Sequence, residues 1–566
     1  MNQSKLLSHS HRFFIKAFIL TLLATLTSHS VAAQTAGRPA QPAPRTAEQQ
    51  YEQGLALLRK NNLPGAAAAF RAALRLRPDF PEAHNALGLA LGQQGQTGAA
   101  IDSFRAATRL NPAFAEAHAN LGLALQQQGQ SDEAINEFRA AIAAQPNFAG
   151  ARSALGFALG QRGDLAGAIA EFETAIRIKP DFQEAHFRLG VTRWFAGAYA
   201  EAIPSLREAV RLAPDHFESH YYLGQCLQKT GALPEAIEEL RKAVKLAPKV
   251  AAGHLALGAA LFADEDFDNA LVALREAVRL KPELIEAHNQ LGLTYIQTRD
   301  AAAAAAEFQA ALRLDPHNAI ALNNLGLALI QKADYAAAVT TYRQLLAARP
   351  DDAEGWYNLG VALKYRDDFA GAIEALNKSI ALQPGLHEAH YTLGVTLMQQ
   401  GRTDEAVNAF RGAIAAKPDF SEAWYTLGTV LQQKGEPDAA IEAFRTAIRL
   451  APLSPQIHNT LGSALRQKGD IQAARAEFQE AARLNKLKSN NQAAIFDTNT
   501  GIQKMKEGNP DVAISFFESA IKKDPDYAPA HYNLGLVLLK KGKREEAMAA
   551  FERAQKLDRR LRPPAQ

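Results

Sequence analysis

The chain has 566 residues, 47% of them hydrophobic and 21% charged, and its 62 basic and 59 acidic side chains leave a formal charge of only +3. Such a length ordinarily divides into about three or four domains, and so even a charge balance excludes a binder held by bulk attraction to nucleic acid. A single cysteine, Cys226, excludes an intramolecular disulfide in any compartment.

Residues 1–33 differ from all that follows. Lys5, Arg12 and Lys16 precede an apolar run from Ala17 to Leu26, and Val31-Ala32-Ala33 supplies small residues before Gln34. This layout predicts a secretory signal cleaved after Ala33. The run is about half of the ~20 residues that span a bilayer, so no stable membrane span is expected after cleavage. No cysteine adjoins the site to accept a lipid. The expected product is exported, to the periplasm in a Gram-negative bacterium and otherwise secreted. Residues 34–46, with Pro39, Pro42 and Pro44, read as an extended tether.

From there a period of 34 residues takes over. Proline stands at 78, 112, 146, 180, 214, 248, 282, 316, 350, 384, 418 and 452 without a slip. A stacked array needs such constancy, because each unit must offer its neighbour the same face and an insertion would dislocate the stack. A unit beginning three residues after each proline has Gly at its eighth position, Ala at its twentieth and a large apolar side chain at its twenty-fourth, as in Gly88, Ala100 and Phe104. Fifteen units result, thirteen over 47–488 and two over 494–561, with a tail at 562–566.

Within the unit Pro81 to Phe114, Ala83, Leu87, Ala90 and Leu91 keep helical spacing until Gln93-Gln94-Gly95-Gln96 interrupts. A second helical face follows in Ala100, Ile101, Phe104, Ala107 and Leu110, and Pro112 ends it. Gly88 costs its helix about 1 kcal/mol relative to Ala. The missing Cβ is expected to let the second helix approach, with Ala100 as the small partner. Each unit is thus a helix, a turn and a helix.

Leu87-Gly88, Ala100, Phe104, Ala107 and Pro112, at these spacings, resemble the tetratricopeptide repeat, over about nine tenths of the chain. The resemblance implies an all-α, right-handed superhelical solenoid of antiparallel helix pairs, whose concave groove binds peptides or partner proteins. One departure is systematic. At the fourth position, where the family carries Trp or another large residue, stand His84, His118, His186, His220, His254, His288, His390, His458 and His531, while Trp356 and Trp424 keep the family form. Successive helix pairs are at least one helix spacing apart, roughly 8–10 Å, against a metal–nitrogen bond of about 2 Å. The column therefore packs between helices and binds no metal. Half-buried imidazoles of this kind are expected to loosen the stack in acid, near their ordinary value of ~6.5.

Asn120, Asn324, Asn358 and Asn533, each followed by Leu-Gly, resemble the groove asparagines in the repeats of the O-linked N-acetylglucosamine transferase. There such residues hold the backbone of client peptides. The glycosyltransferase part is absent from this sequence, so only the peptide-holding role carries over. Helical spacing brings positions 2, 5, 9, 12 and 13 of each first helix together, opposite the packing face. They include Tyr221, Tyr357, Tyr391 and Tyr425, which suit extended backbone and aromatic anchors. Trp194 and Phe195 break the chain's own pattern beside Phe187, Tyr221 and Tyr222, and form the expected anchor pocket. The ninth position is Leu55, Leu89, Leu123, Phe157, Val191 and Ala259, so the asparagine of a carboxylate clamp is missing.

The period fails once. Lys486 stands where proline is due and residues 489–493 are inserted, which predicts a bend or hinge between 484 and 494. Arg475 just before it replaces an Ile, Leu or Val, and Gln555 in the last repeat marks a polar cap. From Lys486 onward 15 basic residues face 10 acidic ones, interleaved, so they read as solvated surface and not as an anion site.

No phosphate-loop lysine motif, no H-E-x-x-H, no G-x-S-x-G and no paired cysteines occur, and Gly92, Gly95 and Gly98 follow no strand. The repeats leave no room for a catalytic domain. The expected function is an exported, non-enzymatic scaffold or adaptor for protein or peptide partners, without nucleic acid, metal or cofactor. Two other classes stay open at the level of sequence: an accessory of an envelope assembly or polysaccharide-export system, and a targeting subunit for a glycosyltransferase acting in trans.

Overall fold

The structure, a computed structural model, describes residues 45–561 together with 563 and 564. The expected signal, the tether as far as residue 44 and most of the tail lie outside the described residues. The described residues form twenty-nine α-helices and no strand. Helices of 13 and 14 residues alternate, as in Pro81–Gln93 and Thr97–Leu110.

The turns set the period. After each first helix the chain passes through the left-handed region, at Gly95 with φ 79° for example. A residue without a Cβ does so at no steric cost. Asp164, Asp334 and Asp368 then accept a backbone N–H three residues on and cap the second helix. At its far end Asn111 has φ −136° and ψ 92°. Pro112 dictates this, because its ring excludes the helical conformation for the residue before it. The periodic prolines are therefore helix terminators, each acting on its neighbour.

Inside a pair, a Cβ on Gly88 would lie 2.6 Å from Cε1 of Phe104. The twenty-fourth side chain, and not Ala100 as expected, occupies the space that glycine leaves. The arrangement recurs at Gly326 against Tyr342 and at Gly501 against Phe517, all three of these partners being fully buried or nearly so.

Contacts divide the chain into two compact units, one ending at Thr298 and the other beginning at Arg299. In the first, one core cluster runs from Leu58 to Leu189 and another from Phe187 to Ala236. In the second, a cluster runs from Leu376 to Ala474, and separate small ones begin at Ala494.

The gap between those clusters is where a bend or hinge was expected, and there the structure corrects the sequence reading. A single helix of 36 residues, Ile471–Lys506, runs through 484–494 and takes up the insertion at 489–493. With Lys486 in place of proline, no ring forces the preceding residue out of the helical region. The first half of this helix packs on Pro455–Lys468 and the second on Pro510–Lys523. It serves as second helix of one repeat and first helix of the next.

Candidate protein-binding groove

The first helices of successive repeats meet along one face, and hydrogen bonds between residues 35 apart show how. Asn120 Nδ2 donates to Asn85 Oδ1 at 2.9 Å, and Asn358 Nδ2 to Asn323 Oδ1 at 3.2 Å. The hydroxyls of Tyr391 and Thr426, and of Tyr425 and Thr460, lie 3.4 Å apart. Each pair joins the fifth position of one repeat to the sixth of the next. A parallel rung joins the twelfth position to the thirteenth, with Gln126 Nε2 donating to Gln161 Oε1 and Gln432 Nε2 to Gln467 Oε1, both at 3.0 Å.

These ladders place the site residues expected from sequence. The Asn120 and Asn358 amides donate within the chain, Asn533 Nδ2 donates to the carbonyl of Pro529 at 2.8 Å, and Asn324 is buried. Tyr357 is half-buried, and burial first, then the nearby Glu388, raises its pKa. The columns thus tie successive first helices together. Between the rungs the ninth-position side chains Leu55, Leu89, Leu123, Phe157 and Val191 are half-exposed. They form the apolar floor.

The aromatic residues expected as an anchor come together in the first unit. Trp194 lies edge-on to Phe195, with ring centres 4.9 Å apart, and to Tyr222 at 5.4 Å, and Tyr222 lies 6.1 Å from Phe187. Tyr221 meets Tyr222 edge-on and stacks on Phe217. The members are not equivalent: Phe187 is 2% exposed and belongs to the core, whereas Phe195 is 40% exposed. Trp194 Nε1 is buried without a hydrogen-bond partner, which costs about 1–3 kcal/mol. Burial raises the pKa of both tyrosines, so both hydroxyls stay protonated.

The fourth-position column points away from this face, and its role was not legible in the sequence. Nε2 of His84, His186, His220 and His254 lies 2.8–3.0 Å from the carbonyl oxygen of Pro78, Pro180, Pro214 and Pro248 respectively. Trp356 and Trp424 donate Nε1 to Pro350 and Pro418, and Arg152 donates Nε to Pro146. What these residues share is an N–H six residues after the terminating proline. His118, His220 and His458 also place Nδ1 2.6 Å from Glu137, Glu239 and Glu477. At His220 the hydrogen bond to Glu239, first, and that to the Pro214 carbonyl raise the pKa against the opposing effect of burial. At His220, therefore, protonation strengthens the contact, the opposite of the loosening in acid expected for the column.

Cys226 is fully buried, and burial pushes its thiol up to about 12. Among the described residues no group of three or more His, Cys, Asp or Glu could hold a metal ion. No helix among them is long and apolar enough to cross a membrane.

The family model described as Tetratricopeptide repeat matches residues 51–113, 86–147, 119–181, 187–251, 289–338, 324–387 and 425–487. A second model of that description matches 365–431 and 504–565, and a TPR repeat model matches 258–298. No curated protein matches the chain significantly. Among solved structures, MamA is 30% identical over 29% of this chain and 96% of its own, with a TM-score of 0.28. YrrB, a TPR protein with an unusual peptide-binding site, is 22% identical over 33% and 96%, with a TM-score of 0.31. Yeast Tom70 is 15% identical over 76% and 96%, with a TM-score of 0.34.

Proposed function

The chain belongs to the tetratricopeptide repeat family, and from that premise we propose that it is an exported, non-catalytic adaptor that binds protein segments along its first-helix face. The carrying observation is the half-exposed apolar floor between two hydrogen-bonded ladders, with the Trp194–Phe195–Tyr222 cluster beside it. The ladders hold the floor rigid, so a partner meets a surface that is already ordered, which lowers the cost of binding. Aromatic side chains in such a setting are the residue types that dominate binding energy. Export rests on the character of residues 1–33.

Photo-crosslinking tests the binding face. A photoreactive side chain in place of Phe195 is expected to give discrete protein adducts in cell extracts that the same group in place of Val272, 65% exposed on a second helix, does not. Identical adducts from both positions refute a dedicated groove. Amino-terminal sequencing of the mature protein tests export, the expected first residue being Gln34.

A further inference from the structure

Charge on the groove at its amino-terminal end is one-sided. Across the first helices of repeats one to three, Ala47–Arg59, Pro81–Gln93 and Ala115–Gln127, the inner positions carry Glu52, Glu82 and Glu116, all exposed. Among the described residues none of the three has a hydrogen-bond or ion-pair partner, whereas Glu48 on the same helix pairs with Arg77. The cations on these helices that belong to the inner face reduce to Arg59, at the far end of the first of them; the corresponding positions of the next two are Gln93 and Gln127. Burial first, and then the charges of Glu52 and Glu82, raise the pKa of Tyr51 on the same face. The chain as a whole carries +3, so this local negative field is not a reflection of its overall charge.

We propose that the inner face of repeats one to three is a docking site for an extended, basic segment of a partner protein. This deepens the proposed function and rests on it, adding the chemistry of the partner. Lys or Arg side chains of the segment pair with Glu52, Glu82 and Glu116, and its apolar side chains lie on Leu55, Leu89 and Leu123. The complementarity selects the partner, because an acidic segment would meet three uncompensated carboxylates at the same positions. The pairs are exposed, so each one is weak alone and is screened by salt.

The test uses the full chain and two labelled peptides of about twelve residues, which at about 3.3 Å per residue cross the three repeats. One has lysine at every third position with leucine between, and the other has glutamate in place of lysine. Fluorescence anisotropy is expected to show the lysine peptide binding at least tenfold more tightly. In the triple variant Glu52→Gln, Glu82→Gln, Glu116→Gln, its affinity is expected to fall about tenfold. A control variant, Asp102→Asn, Asp268→Asn, Glu374→Gln, removes three exposed acids from second helices and is expected to leave the affinity unchanged. Equal affinity for the two peptides, or an equal loss in the control, overturns the proposal. If that happens while Phe195 still gives its crosslinked adducts, the groove reading stands and only the basic partner is lost.

Discussion

Two junctions in this molecule show what a repeat period controls. Between the repeats that meet at Pro214, a proline ends the helix, His220 bonds that proline's carbonyl and Glu239, and the next repeat begins in register. At the junction after Asn485 there is no proline, the helix continues, and the fourth-position place is taken by Asp497. Asp497 is buried and accepts from Ser519 and Lys523, both in the following helix, so it ties its own pair together and reaches nothing before it. Phe496, where other repeats bury an alanine such as Ala83, is 69% exposed, and Phe478 is only half-buried. The glycine meets the twenty-fourth side chain within the pair at both places; what differs is how far that side chain is covered, Phe478 being half-buried and Leu206 and Leu240 fully buried. The proline decides the junction, and the glycine decides the pair.

The largest expected effect breaks the unusual junction. Ser489 is exposed in the middle of the long helix, so Ser489→Pro removes no packing but interrupts the backbone ladder, at about 3 kcal/mol. Denaturant unfolding is expected to resolve a separate, earlier transition for the last two repeats, with new protease cuts between 485 and 493. An unchanged unfolding curve would mean that those repeats never depended on helix continuity.

Next in size is a change that should affect both regions alike. Gly326→Ala puts a Cβ 2.3 Å from Cζ of the fully buried Tyr342, and Gly501→Ala puts one 2.5 Å from Cε1 of Phe517. Each is expected to destabilise by about 1–3 kcal/mol through overpacking, less what alanine returns in helix propensity. A large difference between the two would show that the pairs are not built alike on either side of the break.

The two fourth-position residues predict opposite responses to pH. His220 has its pKa raised above the ordinary 6.5, first by the hydrogen bond it donates to Glu239, so its contribution is full below pH 6.5 and is lost as pH rises through the folded value. Asp497 is pushed up by burial, but Lys523 and Ser519 outweigh that and hold it below its ordinary 3.8. Its contribution is present above that value and is lost as pH falls through the depressed one. His220→Gln is expected to cost about 1–2 kcal/mol at pH 6 and visibly less at pH 9, measured by urea unfolding. Asp497→Asn is expected to cost the same across that range and less only in strong acid. Parallel pH profiles would remove the assigned charge states.

Much of this was legible in advance, for a physical reason. Helical spacing, the turn and the close approach at Gly88 lie within one repeat, where distance along the chain determines distance in space, although the side chain that meets Gly88 is Phe104 and not the expected Ala100. The histidine acceptor was hidden because it is a backbone carbonyl, which carries no residue identity. The ladders were hidden because Asn85 and Asn120 meet only once the rotation between repeats is known. Asparagines that looked free to hold a partner are therefore engaged along the groove. The missing proline was visible, but its absence permits a loop or a longer helix equally, and packing on both neighbours selected the helix.

The smallest expected effect sharpens the account of the turn. Ala333 holds φ 62° where Gly95 holds φ 79° at the equivalent position. A residue with a Cβ pays about 1–2 kcal/mol there, and glycine would relieve it while giving back some entropy in the unfolded chain. Ala333→Gly is thus expected to stabilise by a few tenths to about 1 kcal/mol, and Gly95→Ala to destabilise by a similar amount. Both are readable as shifts in the urea midpoint at unchanged slope. If Ala333→Gly destabilises instead, the alanine methyl makes a contact that outweighs its backbone strain, and left-handed geometry at the turn is then not what confines glycine to most of the other repeats.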